Sequence, residues 1–346
     1  QNIMIKKNNT YLYIKLLSLI SSCVKLNPVE NINNVSINGN GLILIGNEGN
    51  FQYGNASLSG YNKNSKEILN NLYQNINQEP IGDVLHSISH IDHQLFLVVN
   101  NSGKIIVIDD ESFLKNYEIN NLISPRKIIK VDNSKFYITD IYANKIFIHN
   151  QFDHSLREIS LSGWCEDMHM QNGKVFVGNI TNNMVYVINS SDDAIIDSIN
   201  VGSSPVSIQE DSRGNLWVLT QGSQILNKSP SIAIIETQNH SIIKSFHLED
   251  NQSYPSYLNI DIETNNVFLI NKHIYKFQNL DDTLPQLIWP NNNNNFYNLK
   301  INPYNKDLYI TDAKDYVQNG SLIIIDSIGN FKEEIGTGII PKSIIF

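Results

Sequence analysis

An internal repeat of about 43 residues places the strongest restriction on how this chain can fold. The tetrapeptide Tyr137–Asp140 recurs letter for letter at Tyr309–Asp312, four repeats later along the chain. The run Gly103–Asp109 is echoed by Gly320–Asp326, five repeats later. Repeats of this length that are rich in β-branched and aromatic residues are typical of β-propeller blades, so the sequence predicts a propeller.

Each repeat contains four short segments with strand patterning, separated by turn residues. In one unit these segments are Lys127–Val131, Lys135–Thr139, Lys145–His149 and Leu156–Leu161. Four short antiparallel strands in about 40 residues make one blade. A single short helix is expected, near Lys66–Asn75.

The repeats number seven, of which six are continuous. The six begin near Gly82, Ser124, Trp164, Ser204, Tyr254 and Phe296. The seventh joins three strands from Leu42–Asn71 to one strand from Ile340–Phe346. Pairing the two ends in this way leaves no large exposed sheet edge. The predicted fold is therefore all-β: a seven-bladed β-propeller of four-stranded antiparallel blades over residues 41–346, closed by pairing of its N- and C-terminal strands.

The first residues have the pattern of a bacterial lipoprotein signal. Lys6 and Lys7 supply a positive start, Tyr11–Leu19 an apolar stretch, and Ile20–Cys23 a small-residue cleavage site that ends in cysteine. We expect residues 1–23 to be a signal peptide whose Cys23 becomes the lipidated first residue of the mature chain. Residues 24–40 would then be a tether. The alternative is an ordinary N-terminal strand or helix with an incidental cysteine.

Charge argues against a nucleic-acid partner. The chain carries 25 Lys+Arg against 34 Asp+Glu, a net charge of −9, and nucleic-acid binding leaves a basic footprint. The rest of the chain has no stretch near the ~20 apolar residues of a membrane span, so a lipid anchor is the expected membrane contact.

A ligand-binding face is predicted from loop positions. In a blade, the loop leading into the first strand and the loop between the second and third strands emerge on the same face. These loops concentrate aromatic, amide and charged residues, as a binding surface requires. The candidate ligand-binding residues are Asn47, Glu48, Asn50, Phe51, Asp83, Asn100, Asn101, Arg126, Asp140, Tyr142, Trp164, Glu166, Asn179, Tyr254, Asp312, Asp315 and Tyr316. A single proline or asparagine among such loops is more often turn punctuation.

Signals for chemistry are weaker. His86, His90 and His93 have a metal-like spacing, but the segment has the pattern of a strand that runs into a turn. Glu48 and Asp312 are the carboxylates placed to hold a cation near the axis. The sequence has no G-x-S-x-G elbow, P-loop or D-x-D-x-D-G calcium pattern. We therefore expect no catalytic residue, no metal and no cofactor.

Several short motifs resemble one known family in the same order over about residues 40 to 346. They are Asn47–Phe51, Asn55–Leu58, Gly82–Val84, Val98–Ile105, Ser124–Arg126, Gly163–Trp164, Leu216–Leu219, Asp312–Gly320 and Gly338–Pro341. This set resembles a family of Bacteroidetes cell-surface propeller lipoproteins of the YncE-like, DUF5074 type, some of which bind cobalamin.

The resemblance implies a function and a location. It implies a lipid-anchored protein of the cell outer membrane, facing the exterior, that captures cobalamin or a related corrinoid for a TonB-dependent transporter. Cobalamin would be the transported ligand and not a cofactor. Two alternatives stay open: a propeller hydrolase of the lactonase type with a metal in its central channel, and a protein-interaction scaffold.

Overall fold

A computed structural model describes residues 41–248 and 254–346. Its described residues form 28 strands and one short helix. The first elements are β1 (Leu42–Asn47), β2 (Ser57–Asn62), β3 (Glu67–Leu69) and α1 (Leu72–Asn77). The helix is thus shorter and later than the sequence predicts, because a three-residue strand takes up its expected first turn.

Six blades follow in chain order, each made of four consecutive strands. Blades 1 and 2 contain β4 (Leu85–Ile91), β5 (Gln94–Val99), β6 (Lys104–Asp109), β7 (Lys115–Ile119), β8 (Pro125–Lys130), β9 (Lys135–Asp140), β10 (Lys145–Asn150) and β11 (Leu156–Ser160). Blades 3 and 4 contain β12 (Cys165–Gln171), β13 (Lys174–Asn179), β14 (Met184–Asn189), β15 (Ala194–Asn200), β16 (Pro205–Glu210), β17 (Leu216–Thr220), β18 (Ser231–Glu236) and β19 (Ser241–His247). Blades 5 and 6 contain β20 (Tyr257–Asp261), β21 (Asn266–Asn271), β22 (His273–Phe277), β23 (Gln286–Trp289), β24 (Phe296–Ile301), β25 (Leu308–Asp312), β26 (Asn319–Ile325) and β27 (Phe331–Ile339).

The seventh blade is assembled from both ends of the described chain. Its strand order is β28-β1-β2-β3, where β28 is Pro341–Ile345. Leu44 pairs with Ile345 and Ile45 with Ile344 in an antiparallel register. The predicted seven-bladed, all-β architecture and its split closing blade are both confirmed.

The core lies between blades. The described hydrophobic residues form seven clusters, and each cluster combines side chains from two neighbouring blades. Phe96 of blade 1, for example, packs against Phe136 of blade 2 with ring centroids 5.2 Å apart. Central strands buried on both faces explain the nearly continuous apolar runs in the sequence. The ring is therefore held together by contacts that cross every blade boundary.

Across the two described ranges, no helix reaches the length and apolarity needed to cross a bilayer.

Candidate functional site

β-Bulges at the start of the inner strands aim side chains into the central channel. Six of the seven innermost strands shift register at their second residue, for example between Leu85 and Ser87 in β4. A bulge leaves one residue outside the ladder and turns its side chain. We call the residues placed in this way, together with Tyr257 at the start of the regular strand β20, the channel ring: His86, Arg126, Glu166, Val206, Tyr257, Tyr297 and Lys342.

The channel ring lines a cavity of about 1100 Å³. This cavity, the upper cavity below, also receives aromatic side chains from the loops, Trp164, Tyr254 and Tyr316. Asparagines 291, 294 and 295 complete one side of its mouth. Its volume exceeds the roughly 300–1000 Å³ of ordinary small-molecule pockets. The upper cavity can therefore hold a bulky ligand.

Glu48 lies behind the ring and connects three of its members. His86 Nδ1 lies 3.1 Å from Glu48 Oε1, and the Tyr297 hydroxyl donates to Oε2 at 2.9 Å. The Lys342 ammonium is 3.2 Å from Oε1. Burial alone would raise the pKa of Glu48, but Lys342, His86 and Tyr297 together lower that pKa to about 2. Glu48 is therefore ionised and fully engaged.

Glu166 is held by a second set of donors. Arg126 donates from Nε and Nη2 to the two Glu166 oxygens at 2.8 and 2.6 Å, and Trp164 Nε1 donates to Oε2 at 2.6 Å. The guanidinium also lies over the Trp164 ring, 5.6 Å from its centroid. Although burial opposes it, the Arg126 charge keeps the pKa of Glu166 well below its usual range. This geometry fixes both the arginine and the tryptophan.

His86 sits between the two carboxylates. Its Nε2 is 3.5 Å from Glu166 Oε1, a longer contact than the one its Nδ1 makes to Glu48. Burial, and then the Arg126 and Lys342 charges, lower the pKa of His86. Because ionised Glu48 can only accept a hydrogen bond, the contact places a proton on His86 Nδ1.

The carboxylates and histidines considered for a cation pair with other protein groups. In the described part of the chain, no group of three or more His, Cys, Asp or Glu side chains is arranged to hold a metal ion. Glu48 is paired with Lys342, while Asp312 accepts from Asn294, Asn295 and Lys314. His90 and His93 converge on Asp110, at 2.7 and 3.5 Å.

Loops around the mouth link blade 7 to its neighbours. Asn50 Nδ2 donates to the Tyr316 carbonyl oxygen at 2.6 Å, and the Gln52 amide donates to Asp83 Oδ2 at 2.8 Å. Tyr316 meets Tyr297 edge to face, with centroids 5.9 Å apart. Phe51, in the same loop, is 62% exposed.

The predicted site residues fall into three groups. Those that line the upper cavity are Arg126, Trp164, Glu166, Tyr254 and Tyr316, with Glu48 behind them. Those in the surrounding loops, outside the lining, are Asn50, Phe51, Asp83, Asn101, Tyr142 and Asp315. The remaining ones, Asn47, Asn100, Asp140, Asn179 and Asp312, are buried at or just after the end of the second strand in their blades.

This last group has a visible structural task. Asp140 accepts from the amides of Ile123 and Ser124 with one oxygen and from Tyr142 and Ala143 with the other. Asn47, Asn100, Asn179 and Asp312 likewise bond to nearby backbone. Such side chains satisfy turn backbone that would otherwise be buried without partners.

Sequence reasoning did not name the cavity residues Tyr257, Tyr297, Lys300 and Lys342, and it considered His86 only as a metal ligand. It searched the loops, whereas these residues belong to the inner strands. A signal was present in the sequence. When the repeats are aligned, the residue that follows the first residue of each inner strand falls at the same position of successive blades, as in Pro125-Arg126 and Pro341-Lys342.

The comparisons with known proteins identify a family and a fold. A family model described as "Domain of unknown function (DUF5074)" matches residues 40–337. The comparison with curated proteins gives no match.

Solved structures with the same fold carry varied descriptions. A quinonprotein alcohol dehydrogenase-like protein from Bacteroides thetaiotaomicron is 13% identical, with a TM-score of 0.73 over 90% of this chain and 79% of that one. A putative 6-phosphogluconolactonase from Bacteroides uniformis is 10% identical, with a TM-score of 0.65 over 88% and 98%. A catalytically inactive virginiamycin B lyase from Staphylococcus aureus, bound to quinupristin, is 15% identical, with a TM-score of 0.61 over 81% and 95%. At these identities the likeness shows the fold alone.

Proposed function

The chain belongs to the DUF5074 family, and from that premise we propose that it binds a bulky polar small molecule in the mouth of its central channel. The observation that carries the proposal is the upper cavity of about 1100 Å³, in which fixed aromatic and charged side chains from several blades meet. A flat face would have favoured a protein-interaction scaffold instead.

The lining suits a ligand that is partly apolar and rich in hydrogen-bonding groups. Trp164 and Tyr316 offer aromatic walls, while the asparagine run at the mouth offers amide donors and acceptors. Arg126 and Glu166 hold Trp164 in place before any ligand arrives, which reduces the entropy lost on binding.

A corrinoid is the ligand to test first. Corrins are large, fringed with amides and partly apolar, and the sequence motifs resemble those of cobalamin-binding surface propellers. The proposal for this chain is therefore capture of cobalamin or a related corrinoid.

Titration of the full chain with cyanocobalamin and with cobinamide, followed by calorimetry and visible absorbance, tests this directly. Trp164→Ala and Tyr254→Ala should each weaken binding by at least about 10-fold, as loss of an aromatic anchor does. Tyr304→Ala removes an exposed aromatic in a turn on the opposite face and should leave affinity unchanged. Saturable binding with the same affinity in the cavity variants as in the wild type, or no binding of either compound, would refute the corrinoid assignment.

An enzyme is the second candidate, and one contact favours it. His86 donates to Glu48, which is the way a carboxylate orients a histidine base. Turnover of a lactone panel that disappears in His86→Asn, while ligand binding persists, would decide for the enzyme. Turnover equal in both proteins would exclude His86 as its base.

The N-terminal lipoprotein motif extends the proposal to location. Cys23 lies outside the described residues, and we retain it as the anchor of a surface protein that passes its ligand to a TonB-dependent outer-membrane transporter. Metabolic labelling with palmitate should mark the wild-type chain and not Cys23→Ala. Equal labelling of the two proteins, or none in either, would contradict the anchor.

A further inference from the structure

Cations outnumber carboxylates in the channel, although the whole chain has a net charge of −9. The upper cavity is lined by five lysine or arginine side chains and two carboxylates. The charged lining residues are Arg126, Lys127, Lys272, Lys300, Lys342, Glu166 and Asp167. Even with Glu48 added behind the ring, the positive charges exceed the negative ones.

Most of these cations have a carboxylate of their own. Arg126 is paired with Glu166 and Lys342 with Glu48, while Lys127 is paired with Asp167. Lys272 is an exposed residue of a turn at the rim. Among the described residues, no carboxylate lies within ion-pair distance of Lys300, which is therefore the interior cation without a counter-charge.

Lys300 lies where the channel passes from one cavity to another. It lines the upper cavity and also a second cavity of about 590 Å³ at the other end, which we call the lower cavity. Only Ile88, Ser89 and Lys127 share this position between the two cavities. A ligand group that enters from the mouth therefore meets Lys300 at the floor.

The Lys300 ammonium is oriented but not saturated. Nζ donates to the Ile344 carbonyl oxygen at 3.0 Å. An ammonium has three donors, and this is the one bond that Nζ makes to a described residue. Burial, and then the nearby Lys127 charge, lower the pKa of Lys300 to about 8. An anion placed beside Nζ would offset both effects.

We propose that Lys300 binds an oxyanion, a phosphate or carboxylate group of the ligand, at the floor of the upper cavity. The inference rests on the proposed function, since it assigns a charged group to the ligand of the same cavity. It also adds a requirement that the aromatic mouth does not impose: a neutral ligand of equal size would leave Lys300 without a counter-charge. Charge-assisted bonds to a partly desolvated ammonium make such a preference strong.

The test uses simple anions, so that it does not depend on the identity of the whole ligand. The full chain is titrated calorimetrically with sulfate, as the probe of a phosphate-like group, and with acetate, as the probe of a carboxylate. Lys300→Met should weaken binding by at least about 10-fold, equivalent to about 1.4 kcal/mol. Lys130→Met is the matched control, because Lys130 lines only the lower cavity and is paired with Asp92.

Each outcome decides the proposal. Preference for sulfate or for acetate, lost in Lys300→Met and kept in Lys130→Met, supports it and names the group. Absence of binding to the wild-type chain, or equal affinity in Lys300→Met, overturns it. Lys300→Arg should bind within a few-fold of wild type, and it replaces the Met variant as the informative change if that variant does not fold.

A second measurement follows the amine itself. In wild-type protein with ¹³C-labelled lysine, saturating anion should move the Lys300 titration, identified by its absence from Lys300→Arg, to higher pH. Other ionisable residues line the two cavities, among them Lys127, Asp167, His90, Lys130 and Lys342, so the control is the same titration in Lys300→Arg. Failure of cyanocobalamin to bind alongside sulfate binding would sink the corrinoid assignment and leave the Lys300 site standing.

Discussion

At the scale of single residues, the charged members of the channel ring stabilise one another. Arg126 and Glu166 are both largely withdrawn from solvent and make a two-bond pair. Taking either charge out of water is costly, and the partner offsets that cost. Their value to the protein is thus in fixing Trp164 at the cavity wall more than in raising stability.

Removing one member of this pair should be severe. Arg126→Met leaves Glu166 buried beside His86 without its main counter-charge, and we expect the free energy of unfolding to fall by about 3–5 kcal/mol. Urea denaturation at neutral pH measures the loss. Arg213→Met breaks an exposed pair with Asp281 and should barely move the midpoint. Equal effects of the two changes would mean that Arg126 is better solvated than its contacts indicate.

His149 gives the molecule a specific sensitivity to acid. Its side chain is only 1% exposed and stacks against both Tyr117 and His154, and neither ring nitrogen has a hydrogen-bond partner among the described residues. Burial, then the nearby His154, lower the pKa of His149 from 6.5 to about 4.

Because the unfolded chain binds this proton more readily than the folded one, stability falls as the pH drops from about 6.5 to about 4. In His149→Phe the free energy of unfolding should not lose this contribution, which is up to about 3 kcal/mol. Urea denaturation at the two pH limits measures the difference. Parallel pH profiles for the two proteins would contradict the assignment.

At the scale of elements, bulges decide which residues reach the channel. The strand pattern of each repeat could be read from the sequence, because β-branched runs and turn residues mark it plainly. The bulge could not be read from the sequence, since it depends on where one strand shifts register against its neighbour. Loop-based reasoning named Arg126 and Glu166 but did not name Tyr297 and Lys342, although bulges place all four at the channel. Asp140 is in the expected place, but its carboxylate bonds to turn backbone.

Closure of the ring makes one glycine essential. A Cβ at Gly320 in β26 would overlap the Pro341 ring and the Asp312 carbonyl oxygen, so the strand can pass β28 only without a side chain. Gly320→Ala should destabilise the protein by about 1–3 kcal/mol through overpacking. Gly336→Ala in the neighbouring strand β27, where a Cβ meets nothing within 4 Å, is the matched control. Thermal unfolding that is the same for both variants would refute the close approach.

At the scale of the whole molecule, the fold was largely predictable. Seven repeats, the split blade and its closing segment could all be inferred, because a repeat displays its period many times. The ligand could not be predicted, because one or two residues from every blade form the channel and no single repeat shows which residues meet there. Lys300 is an example: only the assembled ring shows that no carboxylate of the described residues pairs with it.

Removing residues 340–346 should abolish cooperative folding. The deletion strips β1 of its inner partner and removes Ile344 and Ile345, which are buried between blades. Burial of each such side chain is worth about 1.5–3 kcal/mol, against a total stability of about 5–15 kcal/mol for ordinary domains. Near-ultraviolet circular dichroism and thermal melting measure the effect. Adding a synthetic peptide of residues 340–346 should restore structure, and a truncated chain that melts like the intact one would contradict the prediction.

The pairing of Leu44 with Ile345 also has a consequence for biosynthesis. The inner edge of β1 has no partner until β28, roughly 300 residues later in the chain, has been synthesised. Contacts so distant in sequence slow folding. Throughout translation the nascent chain therefore presents an unsatisfied strand edge and an open hydrophobic blade face to chaperones. The ring can therefore close only after β28 has been made.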